Sequence, residues 1–385
     1  MRILKLIFKN AFRHKLRAFL TVLGVTIAIL AFGLLRTVIS AWYAGVEASS
    51  ASRLVTRNSV SLIFPLPVSY KEKIRQIEGV KVVSFGSWFG GIYIDEKNFF
   101  ANYAVEPKTY LQLYPEFVIP EGQKAAFFRD RKSAVAGYKL AAKYGWKIGD
   151  MITLKGTIFP GNWDFVLRSI YKGRDETVDE TAFFFHWDYL NETLKQKAPG
   201  RADQVGFYMI GVTNPNLAAD VAAEIDKTFK NSIAETLTET EKSFQLGFIS
   251  MSEAIVVAIQ LVSFVIIIII MAVVANTMAM TARERIGEYA VFKTLGFGSF
   301  YISALIFGES MFVTTIGAAI GIILTFPAAE IFSKKLSTFF PVFNVATETI
   351  YMDILAAFLV ASVAAIFPAW RAVNIRIADG LRRIG

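Results

Sequence analysis

The sequence predicts a membrane α-helical protein with four transmembrane helices and an α+β extracytoplasmic domain between helices 1 and 2. Three observations carry this. Hydrophobic residues make up 54% of the 385 and charged residues only 19%, with the apolar excess gathered into four runs. Lysine and arginine collect beside those runs, on one side of them. The long stretch between the first two runs instead alternates strand-like and helix-like patterns with turns.

A soluble chain of this length would form two or three domains with a more polar surface. Ile255 to Ala275 is interrupted only by Gln260 and Ser263. As a helix this run would span about 31 Å, close to the hydrocarbon thickness of a bilayer. Ala18 to Leu35 carries no charge, and Tyr301 to Ala329 carries only Glu309. Ile354 to Trp370 is short but sufficient once Ile350 and Tyr351 extend it. The first run follows a basic leader, as a signal peptide would. Its 18 residues exceed the roughly 7–15 of a cleavable apolar core, so it is read as a retained span.

Orientation follows from the basic residues. Residues 1–17, 281–300 and 371–385 together hold 13 lysines and arginines against three acids, a net of +10 where the whole chain is +9. Basicity is therefore a topology signal, and the nucleic-acid reading of a pI near 9.4 falls away. Both termini and the 281–300 loop are expected in the cytoplasm. The predicted order is a cytoplasmic amphipathic helix (1–17), span one (18–41), an extracytoplasmic domain (42–250) and span two (251–280). A cytoplasmic coupling loop (281–300), span three (301–330), an outer loop (331–349), span four (350–370) and a cytoplasmic tail (371–385) complete it. In the leader, Lys5, Lys9, Arg13 and Arg17 recur every four residues opposite an apolar side, a pattern suited to lipid headgroups.

Within 42–250, Ser59 to Phe64, Val80 to Phe85, Phe100 to Val105 and Asp203 to Val212 read as strands. Val68 to Ile77, Ala134 to Tyr144 and Leu217 to Phe229 read as helices, and Trp146 to Gly156 as a turn into a strand. Two α+β lobes with an insertion is the simplest arrangement. The chain has no cysteine, hence no disulfide.

Catalytic patterns are missing from the sequence. There is no G-x-x-x-x-G-K-[ST] phosphate loop, no H-E-x-x-H, no G-x-S-x-G and no cysteine nucleophile. The two histidines, His14 and His186, read as structural, and no metal site is expected. The chain is read as a non-enzyme. Two charges in the spans are singled out. Arg36 can reach the interface as an anchor or act functionally. Glu309 is costly in lipid unless it faces a partner, with Asn276, Gln260 and Ser303 as candidates, and serves either packing or coupling.

The stretch 281–296, "TARERIGEYAVFKTLG", holds Arg283-x-Arg285-x-x-Glu288 followed by Lys293-x-x-Gly296. It resembles the cytoplasmic loop of MacB-like ABC transporter permeases, the type VII superfamily that includes the LolC/LolE permeases and FtsX. "KNAFRHKLRAFLTVLGV" (9–25), Glu309 in "FGES", and "PAWRAVNIRIADGLR" (368–382) resemble the family's first span, third span and ending. In the tail, Ile377 stands where the family has proline and Gly380 where it has alanine. The resemblance covers both ends well and the middle loosely.

The resemblance implies porter-like lobes plus an insertion outside. It implies a coupling helix that docks on a separate ATPase through Arg283, Glu284, Arg285, Glu288, Lys293 and Gly296. Asn276, Arg36 and Glu309 are the intramembrane polar residues, and Pro368, Arg371 and Arg382 mark the cytoplasmic tail. It further implies a homo- or heterodimer bound to two ATPase copies, which hold ATP and Mg while this chain holds no cofactor. The expected setting is the bacterial inner membrane, with lipid and, as further partners, a periplasmic adaptor and an outer-membrane channel. The function implied is export of a drug, peptide, lipid or lipoprotein by mechanotransmission. The alternative is an FtsX-like transducer that activates an outside partner without transport. Mixed charge with Ala/Gly spacing suits a reversible contact, whereas an ordinary positive-inside loop needs only the arginines.

Overall fold

In a computed structural model, residues 2–336, 340 and 342–375 are described, and they divide into two compact units. The first holds residues 2–41, 253–334 and 343–375, and the second holds 42–252 with the segment after 334. In chain order, α1 (Arg2–Ala11) and α2 (Lys15–Ala48) come first. β1 (Arg53–Asn58), β2 (Leu66–Pro67), α3 (Tyr70–Arg75), β3 (Val80–Trp88), β4 (Gly91–Ile92) and β5 (Asn102–Val105) follow. Next come α4 (Pro107–Leu113), β6 (Phe117–Val118), α5 (Glu121–Arg129), β7 (Ser133–Gly137), α6 (Tyr138–Tyr144), β8 (Met151–Gly156) and β9 (Gly161–Gly173). β10 (Phe183–His186), α7 (Trp187–Lys197), β11 (Gln204–Val205), β12 (Phe207–Val212), α8 (Ala218–Thr228), β13 (Thr236–Thr240) and α9 (Glu241–Ser250) close the second unit. The chain then returns through α10 (Glu253–Glu284), α11 (Ile286–Thr294), α12 (Ser299–Leu336) and α13 (Thr347–Val373).

Among the described residues, four helices are long and apolar enough to cross a membrane: Lys15–Ala48, Glu253–Glu284, Ser299–Lys335 and Thr347–Val373. Each outruns the apolar run that announces it, because polar end residues continue the helix. α10 buries Ile267, Ile270, Val274 and Met278 at helical spacing, and this stripe meets Ala356, Ala357, Val360 and Ala364 of α13. The alanines let the two backbones approach closely. Large apolar side chains such as Phe264, Ile268, Ile323 and Phe358 point out of the unit, more than half exposed. Helices that satisfy their own backbone and turn apolar side chains outward meet the demands of lipid.

Gly317 and Gly321 of α12 face α2. A Cβ at Gly317 would come within 2.7 Å of Val25 Cβ, and one at Gly321 within 2.9 Å of the Thr26 carbonyl oxygen. Thr26 Oγ1 donates to the Gly317 carbonyl at 3.1 Å. This is the small-xxx-small approach that drives helix association in membranes.

The α+β unit is built on an eleven-stranded sheet, of order β13-β1-β12-β3-β5-β10-β7-β9-β8-β4 with β6 on β9, and a separate β2–β11 pair. Most pairs are antiparallel, but β10–β5 and β7–β9 are parallel. One sheet thus runs through both expected lobes. Both of its faces are covered. Leu54 and Ile210 fall in a core on one face, and their neighbours Val55 and Met209 in a core on the other. At the sheet's margin, Arg53 Nε donates to Glu241 at 2.7 Å and its NH1 meets Glu116 at 2.8 Å, all three nearly buried. Glu241 Oε2 also accepts from the Ser50 backbone N–H. The segment entering the unit is thereby clamped to the first turn of α9, which leaves it.

Several expectations differ from the structure. Residues 59–64 form no strand; the strand is Arg53–Asn58, and Val60, Ile63 and Phe64 lie exposed. The apolar letters there misled because they serve no core. Ala134 to Tyr144 is not one helix. Its first part is strand β7, buried between β10 and β9, and α6 starts only at Tyr138. Small residues such as Ser133 to Gly137 suit a strand packed on both faces as well as a helix. Asp203 to Val212 is split at Gly206 into β11 and β12. Val68 to Ile77 shortens to α3, and β9 and β10 were not anticipated. The leader helix ends at Ala11, so Arg13 and Arg17 are not part of its basic stripe. His186 is buried with Nε2 at 2.7 Å from the Phe127 carbonyl, and burial holds its pKa down, as suits a structural histidine.

Candidate functional site

The loop 281–300 folds as a helix break and a short helix. α10 ends at Glu284, Arg285 leaves helical geometry, and α11 runs to Thr294. Gly296 explains the stop. Its φ of +85° is the left-handed conformation that favours glycine. Its N–H bonds the Lys293 carbonyl at 3.1 Å, and the Phe297 N–H bonds the Phe292 carbonyl at 3.0 Å. The Phe292 and Phe297 rings meet at 5.7 Å, the apolar contact that accompanies this type of helix end.

Arg285 is the hub. Its side chain is 6% exposed; Nε donates to Glu288 Oε2 at 2.9 Å, and NH1 donates to Glu309 Oε1 on α12. The guanidinium also lies 5.4 Å from the centre of the Tyr289 ring. Glu288 passes the chain of charges to Arg13, which donates to its other oxygen. Burial alone would raise the Glu288 carboxyl, but the Arg13 and Arg285 guanidiniums outweigh it and hold it below the usual value. Glu284 receives Arg17 with both oxygens, at 2.7 and 2.8 Å, with His14 Nε2 at 3.4 Å. Lys293 Nζ donates to the carbonyls of Val373 (2.5 Å) and Ile375 (2.8 Å), capping the end of α13. Tyr289 packs with Ile302 and Ile306 of α12 and Ala365, Ala369 and Ala372 of α13. The short helix and the break before it are therefore tied at once to the α1–α2 turn and the start of α2, to α12 and to α13.

Of the residues singled out in the sequence, Arg285, Glu288, Glu284 and Lys293 are occupied with this chain's own groups. Arg283 is exposed, with no ion pair among the described residues. The outer side of α11 is apolar. Val291 is 39% exposed and Leu295 68%, and Phe300 at the start of α12 is 87% exposed. No sequence signal separated these from ordinary span residues.

Glu309 does not bond Asn276, Gln260 or Ser303. Asn276 and Gln260 point out of the unit, and the carboxylate is met instead by Arg285, with Asn10 beside it. Arg36 is only half-buried, yet its Nε is enclosed with no partner among the described residues. Pro368 lies inside α13 and is buried, Arg371 is exposed, and Arg382 falls outside the described residues. One polar residue was missed. Asp353 of α13 is 1% exposed, and neither carboxyl oxygen has a partner among the described residues. Its signal was its register, one helical step before Ala356, Ala357 and Val360 on the buried stripe.

No group of three or more metal-ligating side chains occurs among the described residues. Four helices long and apolar enough to span a membrane, a buried ionic hub at a helix break and a large α+β unit between the first two of those helices are the features a class assignment must fit. Comparison with known proteins narrows this. Residues 261–377 match the FtsX-like permease C-terminal family. The chain is 26% identical over 408 residues to an uncharacterized ABC transporter permease of Methanocaldococcus jannaschii, covering 97% of this chain and 96% of that one. Among solved structures, the periplasmic region of MacB from Actinobacillus actinomycetemcomitans matches at TM-score 0.37 and 8% identity, over 53% of this chain and 95% of that one. The extracellular domain of the transporter YknZ from Gram-positive bacteria matches at TM-score 0.36 and 9% identity, over 49% of this chain and all of that one. The chain carries an FtsX-like permease domain and is homologous to an ABC transporter permease.

Proposed function

We propose that this chain is the non-catalytic membrane subunit that couples ATP hydrolysis by a separate cytoplasmic ATPase to export of a substrate outside, by MacB-like mechanotransmission. One observation carries the reading. α11 and the helix break before it are braced on their inner side to the α1–α2 turn, α2, α12 and α13 by Arg285, Glu288, Glu284 and Lys293, while Val291 on the outer side of α11 and Leu295 at its end face solvent. A partner that presses on such a face moves three helices together, because each attachment is a charge-assisted bond or a packed contact. The ATPase contact is assigned to this apolar face with Arg283 beside it, and the carboxylates are assigned to the brace. ATP and Mg would be held by the ATPase, of which a permease dimer would take two copies. The exposed Asn276 on α10 favours a second permease chain over lipid as its neighbour. Lys9 and Lys15, both exposed, suit lipid headgroups.

In this reading 281–300 and both termini are cytoplasmic, and 42–250 lies outside. The cysteine-free chain gives a clean check. A single cysteine at Lys147 should react with an impermeant thiol reagent on intact cells stripped of their wall, and one at Ser299 only after lysis. Purified chain should hydrolyse no ATP until the ATPase subunit is added. Robust hydrolysis by this chain alone would sink the coupling role.

A further inference from the structure

The α+β unit contains a cavity of about 1020 Å³ whose lining no part of the coupling reading uses. Its size is at the top of the roughly 300–1,000 Å³ range of small-molecule sites. On the inside it is largely aromatic. Tyr103, Phe184, Phe207 and Met209 form a wall from the sheet, with Tyr114 and Phe244 opposite. Such an apolar enclosure with a few hydroxyls fits a hydrocarbon body rather than a polar solute.

Three charged groups line it, and two are accounted for. Glu241 is paired with Arg53 and accepts from the Tyr114 hydroxyl. Asp179 accepts from the Thr181 N–H and hydroxyl, both at 2.7 Å, and burial pushes its carboxyl above the usual range. The third is Arg201, exposed at the mouth. Its guanidinium lies 4.8 Å from the centre of the Phe159 ring and donates to the Ile158 carbonyl, with no carboxylate partner among the described residues. The rim beside it is apolar and open to solvent: Ile63 is 89% exposed, and Leu62, Trp88 and Ile158 are each about two-fifths exposed. Exposed apolar residues around a cavity mouth mark a place of entry.

We propose that this cavity binds a single-chain anionic amphiphile, its hydrocarbon among the aromatic rings and its acidic head on Arg201. The complementarity decides the class. The aromatic interior suits hydrocarbon, its two carboxylates are already engaged by Arg53 and Thr181, and the cation of the lining, Arg201, has no carboxylate partner among the described residues. The site needs neither ATP nor the ATPase, so its failure would leave the coupling reading standing.

The test uses the full chain in nanodiscs and a palmitate that carries a photoactivatable diazirine, with cross-linked peptides mapped by mass spectrometry. Adducts are expected at Trp88, Tyr103 and Phe207 as well as on the membrane helices. Excess palmitate should remove the cavity adducts, and an alkylamine of equal length should not. Arg201→Glu should lower the cavity adducts roughly tenfold or more, the weight of one charge-assisted contact, while membrane-helix adducts stay constant. Arg201→Lys should retain them. Labelling confined to the membrane helices would overturn the proposal, as would equal competition by the amine or an Arg201→Glu chain that labels normally. Ready disulfide formation between two Ile63→Cys chains, with the cavity unlabelled, would assign the mouth to a second copy instead.

Discussion

Each unit of this protein holds a buried arginine between two glutamates and against a tyrosine, and the two sites differ in one respect. Arg53 lies between Glu116 and Glu241 and 4.3 Å from the centre of the Tyr114 ring; the glutamate side chains are 13% and 10% exposed. Arg285 lies between Glu309 and Glu288, whose side chains are 4% and 39% exposed. The first is a closed clamp, with every charge answered inside the sheet's margin. The second is open at one end, where Glu288 continues to Arg13. A closed clamp fixes two chain segments. An open chain of charges on a short helix lets a contact outside be felt by the helices inside. The same residue types thus serve rigidity in one unit and, in our reading, transmission in the other.

The largest expected effect is at the clamp. Arg53→Met leaves two nearly buried carboxylates without their cation and should cost about 5 kcal/mol, the upper end of what breaking a buried pair costs. Thermal melting of the α+β unit within the full chain would read it. Arg285→Met should cost about 3 kcal/mol, because Glu288 keeps Arg13 and only Glu309 is stranded. Adding Glu309→Met should recover most of that loss, since an apolar pair of similar volume leaves no charge buried. If the double variant melts no higher than the single one, the open hub is not a discrete ionic site.

Gly317→Leu tests whether that hub works within a tightly packed unit. A side chain forced against Val25 should cost about 1–3 kcal/mol by overpacking, without touching the α+β melt. Asp353→Asn should change melting by less than about 1 kcal/mol, the range of substitutions that break no partnered contact. A loss equal to that of Arg285→Met would mean that Asp353 has a cationic partner in the assembled protein. The smallest effect is that of pH on Glu288. Its folded pKa is depressed, so its contribution is complete above the unfolded value near about 4.3 and lost as pH falls through the lower folded value. A partly exposed pair of this kind is worth under about 1 kcal/mol, and Glu288→Gln should flatten the acid limb by that amount.

The spans were legible because a run such as Ile255 to Ala275 admits little else, and lysine and arginine placement required no knowledge of contacts. The sheet was legible only in part. Ser133 to Gly137 carries no period, being buried on both faces, and Ser59 to Phe64 mimics a buried strand while lying exposed. The loop's charged residues could be seen, but not whom they serve. Glu309 was matched with polar residues of the second span and of its own, whereas its partner Arg285 stands at a helix break that the apolar pattern does not announce. Asp353 escaped because it stands one residue before the uninterrupted stretch Ile354 to Trp370, in the extension by Ile350 and Tyr351 that completes the span. The exposed Val291 and Leu295 read as ordinary apolar letters until burial distinguished them.

The division of labour on α11, charges inward for the brace and apolar residues outward for the ATPase, is the central claim. Its most direct test is co-purification of the ATPase with Leu295→Asp and Glu288→Lys chains, each melted in parallel, with Lys334→Glu as a distant control. The account predicts that Leu295→Asp loses the ATPase and melts as the parent does, whereas Glu288→Lys, set between Arg13 and Arg285, lowers melting. A Leu295→Asp chain that keeps its ATPase, beside a Glu288→Lys chain that loses it at unchanged melting, would contradict the account.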